Sequence, residues 1–170
     1  MAVTASGAAR LPVKDLSTFA GNPRRGQVDA IAESLDRNGQ YRPIVVNKGT
    51  ITGRPFEVLA GNHTLLASVR LGWTDIDTWV IDVDDETAKR IVATDNRSSD
   101  LGVYDDRALF DLLDSLESLA GTGYSDKDLL ALSKMQDDPV PPEDFPTFDD
   151  EIETDYRCPK CSYEWSGKPN

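Results

Sequence analysis

Apolar residues along this chain recur with two distinct periods, and the switching between them predicts a mixed α/β protein. Val28, Ile31, Ala32 and Leu35 keep the i, i+3, i+4, i+7 spacing of one helix face, which Asn38-Gly39 ends. Before it, Arg10–Leu16 reads as a short extended segment around Pro12. Asn22-Pro23 reads as the turn that opens the helix, with Asn as cap and Pro in the first position. Pro43-Ile44-Val45-Val46 predicts a strand, residues 50–55 a turn, and Phe56–Ala60 a returning strand, a layout that suits a hairpin. One Gly61-Asn62-His63-Thr64 turn then leads into an apolar helix that stops at Gly72. Thr78–Val83 is a third strand rich in β-forming residues. Asp84-Asp85-Glu86 place negative charge at the start of the next helix, where it suits the dipole, and that helix buries Ala88, Ile91 and Val92.

Beyond residue 100 the pattern becomes helical only. Leu109, Leu112, Leu113 and Leu116 form a leucine stripe, the mark of core or of a partner-facing surface, and Ser125–Asp128 reads as a capping box for a last helix through Leu132. From Gln136 to Thr154 the composition turns to Asp, Glu and Pro, which bury too little apolar area to offset the entropy of ordering. The organisation expected is therefore an α/β (α+β) domain over residues 10–100, a helical extension over 101–135, an acidic Pro-rich linker over 136–155 and a small tail over 156–170.

Charge sharpens this division. The formal net charge is −12, yet residues 1–100 carry 12 Lys/Arg against 13 Asp/Glu, whereas residues 101–170 carry 6 against 17. The acidic back half disfavours DNA binding through bulk charge and leaves room for a local basic patch only on the front. No stretch approaches the roughly 20 apolar residues of a membrane span, and Met1–Arg10 is too short and polar for a secretory h-region, so the expectation is a cytoplasmic protein with no membrane contact. Two cysteines three apart are not the pattern of a disulfide-stapled secreted domain.

The strand-turn-helix around Gly61 carries the clearest chemistry. Gly61 lets the backbone turn and approach a ligand closely, and the first N–H groups of the following helix, with its dipole, point at whatever sits above them. A phosphate suits such a place. His63 is the only histidine in the chain, so any histidine chemistry must happen on this turn.

Taken in order, Asn22-Pro23-Arg24-Arg25, the helix ending at Gly39, Pro43-Ile44-Val45-Val46, the strand into Ala60-Gly61-Asn62-His63 and the helix with Asp95-Asn96-Arg97 resemble the ParB/sulfiredoxin superfamily, specifically the ParB-like N-terminal (ParB-like nuclease) domain. The resemblance covers about residues 10–100 and implies a mixed sheet with packed helices. It also implies a nucleotide, CTP or ATP, held with Mg²⁺ at the Gly61–Thr64 turn. Carried over, Gly61, Asn62, His63 and Thr64 would lie along the phosphates, with Arg24 and Arg25 adding charge-assisted contacts. Asp95 and Asn96 would hold a hydrated Mg²⁺, and Gly39, Gln40 and Pro43 would flank the base. Partition-type members carry arginines where Thr64 and Leu66 stand, and a further one where Ser98-Ser99 stand, so triphosphate binding should be weaker here or the ligand different. Sulfiredoxin's cysteine is absent, Asn62 standing in that region, which argues against sulfinic acid repair. Each residue also has a plain structural reading: His63 as a helix cap or the partner of a buried carbonyl, Asn22–Arg25 as a helix start, Asp95–Arg97 as an exposed helix end.

The tail, Tyr156-Arg157-Cys158-Pro159-Lys160-Cys161-Ser162-Tyr163-Glu164-Trp165, resembles one knuckle of a zinc ribbon or rubredoxin. A structural Zn²⁺ wants four ligands, so Cys158 and Cys161 would share one between two subunits, making a dimer; a redox pair and a metal-free remnant are the alternatives. Three functions follow. The first is a nucleotide-dependent switch or a phosphotransfer or NTP-hydrolysing enzyme, with His63 and Asp95 as candidate catalytic residues beside Asp29, Glu33 and Glu57. The second is a DNA-binding protein or nuclease. The third is a non-enzymatic dimeric assembly module that uses the leucine-rich helices or the Cys-x-x-Cys tail.

Overall fold

In the computed structural model, which describes residues 4–135 and 154–167, the described chain falls into two compact units that divide after Gln136. In the first, five strands form one mixed sheet in the order β1-β5-β3-β4-β2. These are β1 (Thr4–Pro12), β2 (Ser17–Thr18), β3 (Ile44–Asn47), β4 (Glu57–Ala60) and β5 (Asp75–Asp82). The hairpin expected from the turn at residues 50–55 is present: β3 and β4 pair antiparallel, Val46 opposite Val58. β3 also pairs parallel with β5, Val46 opposite Val80, so β3 lies at the centre of the sheet.

Strand period decides what each face buries. Ile44, Val46, Val58 and Ile76 point to one face, where they pack with Val13 and with Leu65 of helix α2 (Asn62–Arg70). Val45, Leu59 and Ile81 point to the other, packed with Val83 and with Ala88, Ile91 and Val92 of helix α3 (Asp85–Leu101). Helix α1 (Val28–Asn38) lies on α2 through Ala32, Leu35 and Ala67. Fully buried Val46, Val58 and Ile76 each contribute on the order of 1.5–3 kcal/mol by leaving water.

Two expectations need correction. β1 begins at Thr4, well before Arg10, because its small residues Ala5, Gly7, Ala8 and Ala9 pair along the whole of β5, which itself starts at Asp75. Asn22-Pro23 does not open α1. That helix starts at Val28 behind Gln27, since the Asn22 carboxamide is taken up by Arg24 N–H (3.2 Å) and by the Asn96 side chain (3.1 Å). The leucine stripe buries Leu113 of helix α4 (Asp106–Asp114) and leaves Leu112 on that helix and Leu116 just past its end exposed, in keeping with core on one side and open surface on the other.

Helix α5 (Asp126–Met135) packs with α4 and carries the expected capping box, with Ser125 N–H bonded to Asp128 Oδ2 (2.8 Å). The connection before it docks on α1: Gly121 N–H donates to Glu33 (3.0 Å) and Asn38 donates to the Gly121 carbonyl (3.0 Å). The acidic linker falls largely outside the described residues. In the second unit, the tail forms a hairpin of β6 (Tyr156–Arg157) and β7 (Glu164–Trp165). Among the described residues no helix is long and apolar enough to cross a membrane.

Candidate anion-binding site

The site grows from the join between β4 and α2. β4 ends at Ala60, and Gly61 turns the chain at φ 88°, ψ 27°, the left-handed region that disfavours residues with a Cβ. A Cβ there would also stand 2.5 Å from Ile44 Cγ2, so the turn presses on β3. The Leu65 N–H bonds back to the Gly61 carbonyl at 3.0 Å and starts the helical ladder. Among the described residues the N–H groups of Asn62, His63 and Thr64 have no hydrogen-bond partner, and no side chain caps this end of α2. Three such donors at a helix N-terminus suit an anion, which makes this turn a candidate anion seat.

Side chains around this seat divide into scaffold and free groups. Buried Asn62 accepts the Phe19 N–H on Oδ1 (2.8 Å), which holds the loop after β2 and leaves its backbone N–H for a ligand. His63 accepts the Gly26 N–H on Nε2 (2.8 Å). That bond puts the neutral ring's proton on Nδ1 and occupies the lone pair a general base would use, so His63 anchors the 22–27 segment. Gly26 lies so close that a Cβ on it would stand 2.6 Å from His63 Cγ. Arg24 donates from Nη1 to the Asn96 carbonyl and to Asp100 Oδ1, both at 3.0 Å. Arg25 is exposed and lines none of the cavities around the turn.

A cleft of about 150 Å³ lies over the seat, lined by Asn22, Arg24, Arg42, the Gly61–Thr64 turn, Asp95, Asn96 and Ser99. Asp95 is exposed and its carboxylate makes no ion pair among the described residues; the Asn96 side chain spends its NH₂ on Asn22, and its Oδ1 has no partner among the described residues. One carboxylate and one amide oxygen are a donor set that fits a Mg²⁺ retaining several waters. Among the described residues no group of three or more His, Cys, Asp or Glu could hold a metal by itself.

Two larger cavities open beside this cleft and share residues with it. One, about 350 Å³, lies between α1 and the docked connection, lined by Ile31, Leu35, Gln40, Tyr41, Thr122 and Gly123. The other, about 320 Å³, runs along Pro43, Ile44, Val45 and Trp79. Gln40 and Pro43 thus reach the cavities while Gly39 lines none; at φ 70° it ends α1. Gln40 is chiefly a staple, exchanging two hydrogen bonds of 2.8 Å with the backbone of Asp77 on β5.

Sequence reasoning missed Arg42. Arg42 lines all three spaces, and its side chain makes no ion pair or hydrogen bond among the described residues. An arginine held at the edge of an anion seat with no carboxylate partner is a free cation for a ligand. Its only sequence signal is its place just before the Pro43 strand.

Residues 4–97 match the family model for the ParB N-terminal domain. The chain belongs to that family. A probable plasmid-partitioning protein ParB from Thermus thermophilus is 31% identical over 100 residues, covering 57% of this chain. This chain spans 32% of that relative's length, so the two share one domain. A chromosome-partitioning ParB from Caulobacter crescentus, solved with CTP-gamma-S, shares the fold at a TM-score of 0.53 and 19% identity, covering 75% of this chain and 71% of that one. Sulfiredoxin from Arabidopsis thaliana is 20% identical, covering 50% of this chain and 96% of its own, at a TM-score of 0.41. The ParB_N domain here is the mixed sheet with α1–α3, and the anion seat, Arg42 and the Asp95-Asn96 pair all lie within it.

The second unit holds Cys158 and Cys161 on the turn between β6 and β7. The N–H of Cys161, then that of Lys160, then the Cys161 thiol face the Cys158 sulfur and hold its thiol below the usual range.

Proposed function

We propose that this ParB_N domain binds a nucleoside triphosphate with Mg²⁺ and acts as a nucleotide-dependent switch. The observation that carries this reading is the convergence of three unpaired N–H groups and the unpartnered Arg42 guanidinium on one cleft that opens into a base-sized cavity. The phosphates would lie against the N–H groups of Asn62, His63 and Thr64, with Arg42 on one side and Arg24 on the other. Arg42 takes the place of the cationic side chains absent at Thr64 and Leu66. Asp95 and the side-chain Oδ1 of Asn96 would hold a Mg²⁺ that offsets phosphate charge.

The base would enter the cavity floored by Ile31 and Leu35 and edged by Thr122 and Gly123, so the docked connection between α4 and α5 contacts the ligand. A switch fits better than phosphotransfer because the His63 lone pair already serves the Gly26 backbone, which leaves that ring without a free base at Nε2. The Caulobacter relative's complex with CTP-gamma-S makes CTP the first nucleotide to test.

A melting-temperature screen of CTP, ATP, ADP and GTP with Mg²⁺ tests the reading. One triphosphate should raise the melting temperature by several degrees in the wild type. Arg42→Ala should lose most of that shift, and Asn96→Ala should lose its dependence on Mg²⁺. No shift with any of the four nucleotides would overturn the proposal.

A further inference from the structure

Trp79 stands on β5 where its neighbours on the same face are covered and it is not. It lies opposite Val45 in the parallel pairing with β3 and two residues before Ile81, so it shares the face on which α3 packs. Ile81 is 5% exposed beneath that helix, whereas Trp79 is 42% exposed. The indole borders the cavity of about 320 Å³, whose other apolar walls are Pro43, Ile44 and Val45. Toward the anion seat, the same cavity is lined by Arg42, Gly61, Thr64 and Asp95, all four of which also line the cleft over the seat. A planar apolar surface beside a group of anion-binding residues suits a ring attached to a phosphate.

Size divides the work among the three spaces. The cleft, about 150 Å³, is less than half of either neighbour and suits phosphate groups alone. The cavities of about 350 and 320 Å³ each reach the lower end of small-ligand pockets, roughly 300–1,000 Å³. Arg42 and Thr64 border all three, and the Thr64 hydroxyl, like the Arg42 guanidinium, has no hydrogen-bond partner among the described residues. One anion seat thus opens on two chambers, one floored by Ile31 and Leu35 and one walled by Trp79. A mononucleotide accounts for only one of them. We propose that the Trp79 chamber takes a second nucleobase, so that the ligand of this domain is a dinucleoside polyphosphate, two nucleosides joined through a phosphate chain on the Gly61–Thr64 turn. Stacking on the indole would hold that second base by its π-face. This proposal rests on the nucleotide reading for the phosphates and the first base.

The test compares bis(5′-cytidyl) tetraphosphate with cytidine 5′-tetraphosphate, and the two adenosine counterparts, by calorimetric titration into the full chain with Mg²⁺. Each pair carries the same number of phosphates and differs by one nucleoside. For the preferred base, the two-ended compound should bind about tenfold more tightly, as one base–aromatic stack is expected to contribute. It should also quench tryptophan fluorescence, which the one-ended compound should not. In Trp79→Ala the quench should disappear and the two compounds should bind equally, whereas Trp79→Phe, which keeps an aromatic face, should retain part of the tenfold gain. Equal binding of each pair by the wild type would overturn the second chamber and leave the nucleotide reading standing. So would a gain that Trp79→Ala does not reduce. Binding of none of the four compounds would overturn both.

Discussion

Gly61 meets two separate demands, and they can be measured apart. Its positive φ alone costs any other residue about 1–2 kcal/mol, and its contact with Ile44 leaves no room for a methyl group. Gly72 has a similar φ of 72° with nothing within 4 Å of its Cβ position. Gly72→Ala should therefore lower the melting temperature by a few degrees, and Gly61→Ala by clearly more, because Ile44 must also shift; equal losses would show that the contact is slack. Gly61 was readable in the sequence because a glycine between an apolar strand and an apolar helix is a local signal. The role of His63 was not, since its partner Gly26 lies 37 residues away and a backbone N–H leaves no trace in composition. Arg42 was hidden for a related reason, as a free cation is recognised only by the absence of carboxylates around it in space.

At the scale of elements, α3 matters most, because it carries Asp95 and Asn96 and depends on its cap. Asp84 accepts the Thr87 N–H at 2.8 Å, and this bond, then one from the Thr87 hydroxyl, holds the Asp84 carboxyl below the usual carboxylate range. A carboxyl lowered in the folded state stabilises above its unfolded value and loses that contribution as pH falls through the folded one. Asp84→Ala should thus lower the melting temperature at about pH 7, and the gap from wild type should narrow on the acid side, below about pH 4. A gap that stays constant with pH would show that the cap does not act through its charge.

Helices with a clear apolar period and a capping residue were legible, as in α1's stop at Gly39, α3's acidic start and α5's Ser-x-x-Asp box. Strand β1 was not, because Ala-rich sequence has weak strand preference and is held by pairing with β5. The false start of α1 at Asn22-Pro23 has the same cause, since the local cap signal lost to a hydrogen bond with Asn96, 74 residues away.

Across the whole molecule, charge is divided unevenly. The nearly neutral ParB_N region presents its cations, Arg24 and Arg42, at the anion seat, while the excess acid lies beyond residue 100. Calorimetric titration of CTP and of cytidine into the full chain with Mg²⁺ tests the central claim that the phosphates are the recognised part. CTP should bind with an exothermic, saturable isotherm and cytidine should not. Arg42→Ala should weaken CTP about tenfold, as loss of one charge-assisted contact does. Equal binding of cytidine and CTP, or CTP binding unchanged in Arg42→Ala, would contradict the account.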